Sequence, residues 1–220
     1  QNAGYSTIKK FAQEKNSEIV SPTFKMVSSN AQMQKFDLIQ PFALKNAEIK
    51  LIGEYQIENA SLALSAIFCL QKKGFKISKK AVLHGLKKTF WPARLQAVQK
   101  KPLLIIDSTH TPKGALVLSK ALKKFVFKKI ILVFSVLEDK DFKKILKQIP
   151  FHALIATKAD YFRALSPEKI KKAFPQAIIE KNMALAIARA KKIAQKNDLI
   201  LVAGSIYGAG EAMKALKIKA

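Results

Sequence analysis

Residues 92–112 read PARLQAVQKKPLLIIDSTHTP, and the fold is decided inside that stretch. Leu103 to Ile106 is a short unbroken apolar run of the kind a parallel sheet buries on both faces. Thr111 followed by Pro112 is a good N-cap and first helical residue. A strand should therefore end at Asp107, pass through His110 and enter a helix running to about Lys124. Free backbone N–H groups and the positive end of that helix then point into the space beyond the strand, which suits a phosphate or a carboxylate. A plain strand-to-helix loop is the alternative, since ligands gather at strand carboxyl ends in open α/β sheets but most such ends are empty.

Beyond this stretch the rhythm continues as strand, helix, strand, helix. Apolar runs recur at Ile130 to Phe134, Ala153 to Ala156, Ala177 to Ile179 and Leu199 to Ala203, each followed by a helical segment. Phe142, Ile145, Leu146 and Ile149 share one helical face, and Ser166-Pro167 is a second cap-plus-proline start. Such alternation predicts a Rossmann-like parallel sheet with helices on both faces. The text before Lys88 is more mixed. It suggests a helix near Thr7 to Lys15, strand-like pieces at Glu18 to Val20 and Phe36 to Ile39, a helix from about Asn59 to Lys73, and another capped by Ser78. The helix from Asn59 is apolar nearly all round (Leu62, Ala63, Leu64, Ala66, Ile67) and stops at Gly74, the pattern of a core helix.

Composition narrows the classes. Of the 220 residues 49% are apolar, enough for one large domain or two small ones. No apolar stretch approaches the roughly 18 residues of a membrane span, and Gln1 to Lys15 has no signal-peptide pattern, so a cytoplasmic protein with no membrane partner is expected. Cys69, the single cysteine, sits in an apolar run and reads as a small buried side chain; disulfides within the chain and cysteine-based metal sites are excluded. No cluster of His, Cys, Asp and Glu has metal-ligand spacing. The net charge of +25 raises nucleic-acid binding as a rival reading. Against it, the excess is lysine spread in pairs along the whole chain, and arginine, which reads bases and forks onto phosphates, occurs only as Arg94, Arg163 and Arg189. No specific nucleic-acid partner is expected.

Six stretches in order carry a family resemblance. They are Gly53-Glu54-Tyr55-Gln56-Ile57-Glu58-Asn59-Ala60, Trp91-Pro92-Ala93-Arg94-Leu95-Gln96, Asp107-Ser108-Thr109-His110-Thr111-Pro112, Val133 to Asp141, Arg163 to Glu168, and Leu201 to Tyr207. Together they resemble the Mur ligase superfamily, and within it the folylpolyglutamate synthase/dihydrofolate synthase branch. The family forms of the first three motifs are Gly-x-His-Gln-x-x-Asn-Ala, Pro-Gly-Arg and Asp-x-Ala-His-Asn-Pro. Here Tyr55 replaces the histidine, Ala93 the glycine and Thr111 the last asparagine. The resemblance spans essentially the whole chain but not the family's Gly-x-x-Gly-Lys-Ser/Thr phosphate loop. Gly204 to Gly210 lacks that ending and reads as a strand-helix turn.

The resemblance implies a chain that starts inside the ATPase domain. Residues 1–90 would be the tail of that α/β domain, 91–95 a linker, and 96–220 a Mur-ligase-type C-terminal domain. It implies ATP-driven amide formation, with ATP and magnesium as cofactors and glutamate and dihydropteroate or folate as small-molecule partners, the magnesium ligands lying mainly outside this chain. Arg94 would approach the ATP phosphates, and a surface ion pair is its alternative. Asp107 would accept the ribose hydroxyls or merely cap the next turn. His110 would contact the transferred phosphoryl group or only its own loop, and Asn59 would read the adenine edge. Ser205 would face the incoming glutamate or be a buried turn serine. The intact enzyme would be a monomer, while this chain alone would be inactive and expose apolar surface through which it self-associates. Another Mur-type ligase, acting on cell-wall precursors, is the nearest rival.

Overall fold

A computed structural model describes residues 3–218; the chain's expected start inside an ATPase domain, at Gln1, lies outside the described residues. The chain divides into two compact units. The first takes the residues up to Ser29, Met33–Lys50 and Glu54–Thr89, and the second takes Asn30–Gln32, Leu51–Gly53 and everything from Phe90 on.

In the first unit α1 (Ala3–Glu14) is followed by an antiparallel meander of β1 (Thr23–Ser29), β2 (Gln34–Gln40) and β3 (Leu44–Ile49), and then by α2 (Glu54–Lys72) and α3 (Lys79–Lys88). Strict alternation along β2 buries Gln34, Phe36 and Leu38 on one face. With Leu44, Ala47 and Ile49 of β3, Ile57 and Leu64 of α2 and Val82 of α3 they form the core. A bulge between Phe36 and Leu38 puts Asn46 at φ 54°, and the Asp37 carboxylate accepts its N–H at 2.7 Å. Helix α3 starts as expected, with the Ser78 hydroxyl accepting the Ala81 N–H.

Three expectations for this region need correction. Glu18 to Val20 is not a strand; pairing begins at Thr23, where the partner Gln40 is available. Helix α2 begins at Glu54 and is not buried all round, because the small sheet covers only one of its faces: Leu62 is 57% and Leu70 40% exposed, and Ala63 and Ala66 are exposed beside them. Cys69, on the flank of the same helix, is half-buried for the same reason.

The second unit is built on a six-stranded sheet of order β4-β5-β9-β6-β7-β8. Its strands are β4 (Gln96–Lys100), β5 (Leu103–Ile106), β6 (Ile130–Phe134), β7 (Ala153–Ala156), β8 (Ile178–Ile179) and β9 (Leu199–Ala203). All pairs are parallel except β4 with β5. The antiparallel edge strand escaped the sequence reading because QAVQK is polar and half-exposed, carrying no apolar run. Successive strand residues serve opposite cores. Ile105, Leu132, Phe134, Leu154, Leu201 and Ala203 pack against α4 (Pro112–Leu122), α5 (Phe142–Gln148) and α6 (Pro167–Ala173). Leu104, Ile106, Val133, Ile155, Ile200 and Val202 pack against α7 (Met183–Ile193) and α8 (Ile206–Ala215). The chain leaves β5 and β6 on one face of the sheet and β9, which lies between them, on the other. That reversal opens the rim above β5, β9 and β6, the place where α/β sheets bind ligands.

Candidate functional site

Three loops meet at this rim. Asp107 extends β5 by donating its N–H to Val202 at 2.9 Å, and its carboxylate then turns back on the backbone, accepting the Leu95 N–H at 2.9 Å and the Thr109 N–H at 2.8 Å. The residue is only 1% exposed. Both readings of this acid therefore meet in one side chain: it does cap its turn, and a carboxylate retains acceptor positions beyond those two. The Gly204 N–H donates to the Thr109 carbonyl at 2.9 Å, joining the loop after β5 to the loop after β9. At Gly204, φ is 116°, and a Cβ would fall 2.4 Å from the Ser135 carbonyl and 2.8 Å from the Phe134 ring, so glycine is required there. The Ser135 hydroxyl in turn accepts the Ala159 N–H at 3.1 Å and ties in the loop after β7.

His110 is exposed, and its Nδ1 stands 2.9 Å from the Ser108 carbonyl. A carbonyl can only accept, so Nδ1–H donates and Nε2 is left for another partner. Thr111 caps α4 through its hydroxyl to Gly114 N–H (3.1 Å), so the exchange of the family's asparagine for threonine preserves the helix start. Ser205 is buried, and its hydroxyl accepts the Gly208 N–H at 2.9 Å as the cap of α8. One of its two acceptor positions is thus taken, while its O–H remains able to donate.

Arg94 stands between two residues in the left-handed region, Ala93 at φ 54° and Leu95 at φ 46°. The other two arginines are paired, Arg163 with Asp139 and Arg189 with Glu180, each at 3.0 Å. Arg94 is half-buried, and no ion pair or side-chain hydrogen bond engages it among the described residues. Asn59 belongs to the first unit, on α2, where it is exposed and donates to the Gln56 side chain at 3.1 Å.

The sequence reading named no role for Gln96, Tyr161 or Tyr207. Gln96 accepts the Ala93 N–H at 2.9 Å. Tyr161 stacks on Tyr207 at 3.8 Å, and the hydrogen bond between their hydroxyls, followed by burial, raises the Tyr207 pKa. No spacing rule reveals the tyrosine stack, since it joins residues far apart in the chain, whereas the Gln96 bond to Ala93 spans only three residues. A cleft of ≈ 690 Å³ bordered by Lys158, Lys181, Asn182, Glu211 and Lys214 contains none of the candidate residues. Among the described residues no three His, Cys, Asp or Glu side chains come together to hold a metal, and no helix is long and apolar enough to cross a membrane.

Comparison with known proteins adds a family. Residues 93–206, just over half the chain, match the glutamate ligase domain of Mur ligases. A probable bifunctional folylpolyglutamate synthase/dihydropteroate synthase of Haloferax volcanii is 30% identical over 173 residues, covering 76% of this chain and 20% of that protein. The dihydrofolate synthase/folylpolyglutamate synthase of Bacillus subtilis is 31% identical over 177 residues, covering 76% of this chain and 40% of its own length. The chain thus spans well under half of either relative. Among solved structures, Mycobacterium tuberculosis folylpolyglutamate synthase complexed with ADP and AMPPCP superposes with a TM-score of 0.86 at 24% identity, over 98% of this chain and 53% of the other. That likeness concerns the fold.

Proposed function

Because the chain belongs to the Mur ligase family and carries its glutamate ligase domain, we propose that it is part of an ATP-dependent ligase that adds glutamate to dihydropteroate or folate. In this reaction the substrate carboxylate attacks the γ-phosphorus of ATP, ADP leaves, and an acyl phosphate forms. The amino group of glutamate then attacks the acyl carbon, phosphate departs and the amine loses a proton. Most of the catalysis in such a transfer is positioning and charge stabilisation.

Arg94 carries the reading: the other two arginines are ion-paired, no partner engages its guanidinium among the described residues, and the backbone on either side of it is bonded to Ser108 and Asp107 in the loop after β5. A guanidinium forks onto phosphate oxygens. His110 supports it, because Nδ1 is fixed to Ser108 and Nε2 is free to meet the transferred phosphoryl group beside the N-terminus of α4. Asn59 retains its amide oxygen and one N–H for the adenine edge. The ribose role of Asp107 has less support than these, since the residue is buried and already accepts two N–H groups. For glutamate, Ser205 has its O–H and one remaining acceptor position to offer. In this reading the magnesium ligands lie mainly outside this chain. A cytoplasmic location and a monomeric enzyme belong to the same reading.

The test is Arg94→Ala in the product of the complete reading frame. Loss of one preorganised charge contact costs about 2–4 kcal/mol of transition-state stabilisation, so kcat/KM for ATP should fall roughly 30- to 1,000-fold. Unchanged turnover would remove Arg94 from the site.

A further inference from the structure

We propose that Gln96 is a positioning residue for Arg94, acting with Asp107 as a clamp on the backbone either side of it. The proposal rests on the reading of Arg94 as a phosphate contact. Its basis is a closed set of bonds around three residues. The Ala93 N–H donates to Gln96 Oε1 at 2.9 Å, the Ala93 carbonyl accepts the Ser108 N–H at 2.9 Å, and the Leu95 N–H donates to Asp107 Oδ2 at 2.9 Å. The two flanking side chains are anchored on opposite faces of the sheet, Ala93 in the core under α7 and α8 and Leu95 in the core under α4 and α5.

Two non-glycine residues in the left-handed region separated by one residue do not persist without such constraint, because a Cβ crowds the neighbouring carbonyl at positive φ. Released from its bonds, the segment would relax toward ordinary extended or helical angles, and a turn of either flanking peptide would swing Arg94 away from the rim. A guanidinium on a flexible stem gains its catalytic worth from being held where charge develops, and a displacement of about 1 Å can cost on the order of 100-fold in rate. Among the described residues Gln96 Oε1 accepts from the Ala93 N–H alone. Its amide spans from β4 back to Ala93, closing the turn of which Arg94 is the tip.

A double-mutant cycle in the product of the complete reading frame tests the clamp, with Gln96→Met removing the acceptor at nearly constant shape and Gln96→Glu restoring it. In the Arg94 background, Gln96→Met should lower kcat/KM for ATP by about 10- to 100-fold while the KM for glutamate stays within about 2-fold, and Gln96→Glu should recover most of the loss. In the Arg94→Ala background, Gln96→Met should cost less than about 3-fold, because the group it positions is gone. Equal losses in both backgrounds, or no loss in the first, would overturn the proposal while leaving Arg94 as a phosphate contact. If Arg94→Ala alone leaves ATP use unchanged, the reading of Arg94 falls and the clamp falls with it.

Discussion

Asp107 shows how much one side chain can hold at a strand end. Its two oxygens accept N–H groups from residues 12 positions before it and two after it, and burial leaves neither donor an alternative in water. Replacing it with asparagine leaves one acceptor oxygen and turns an NH₂ toward the second N–H. A buried donor without a partner costs about 1–3 kcal/mol. Asp107→Asn should therefore lower the unfolding free energy by about that amount, in addition to any effect on nucleotide use, as measured by urea unfolding. An unshifted denaturation midpoint would mean that the two N–H groups find other acceptors. The motif pointed to Asp107 from the sequence, but its attachment to Leu95 depends on β4 folding back antiparallel to β5, which nothing in the local text announced.

At the scale of elements, charge fastens what the apolar pattern places. Glu48 on β3 accepts from Lys35 on β2 at 2.9 Å and from Lys87 on α3 at 2.8 Å. Those two lysines, Lys87 first, lower its pKa from 4.5 to about 2. A carboxylate whose folded pKa is depressed adds stability that is complete above its unfolded value and is lost as pH falls through the folded one. The clasp should thus be fully present above pH ~4.5 and fade toward pH ~2. Glu48→Gln should flatten the acid-unfolding curve of the first unit in that window, relative to the parent, by circular dichroism. Identical curves would show that water screens the three charges enough to make them irrelevant. Two helix starts were legible for a related reason: Ser78 and Thr111 each accept the N–H three residues on, whereas Ser166, with the same cap-plus-proline pattern as Thr111, starts α6 without a side-chain capping bond.

For the whole chain, the two units differ in how completely they cover their apolar surface. The six-stranded sheet is packed on both faces by its own helices. The first unit covers one side of its helices only: Leu62 and Leu70 are exposed on α2, and Tyr5, Ile8 and Phe11, each about half exposed, share a stripe on α1. Exposed apolar stripes of this kind drive association. The chain should form concentration-dependent oligomers in sedimentation velocity at micromolar to millimolar concentration, and a charge placed on the stripe by Leu62→Glu should shift them toward monomer. A parent chain that is monomeric throughout that range would refute this. From sequence α2 reads as a core helix, because a helix apolar on every side looks the same whether its second face is buried by this chain or open.

What the sequence determined by itself was the parallel part of the sheet, strand by strand at β5, β6, β7 and β9. A strand buried on both faces must be apolar at every position, and no other element of four or five residues reads that way. It also determined the helix starts at Ser78 and Thr111, whose capping bonds span only three residues, and the place of Asp107 and His110 just beyond β5. Only the tertiary structure decided which strands became neighbours, so that β9, last in the chain, lies between β5 and β6 and brings Gly204 against Thr109 and Ser135. It decided, too, that a polar pentapeptide would form β4, because edge strands are held by ladder bonds to a neighbour and need no apolar signature of their own. The bond from Leu95 to Asp107 belongs to the same class, since it spans 12 residues and exists only once β4 has folded back on β5, whereas Gln96 reaches Ala93 within three residues.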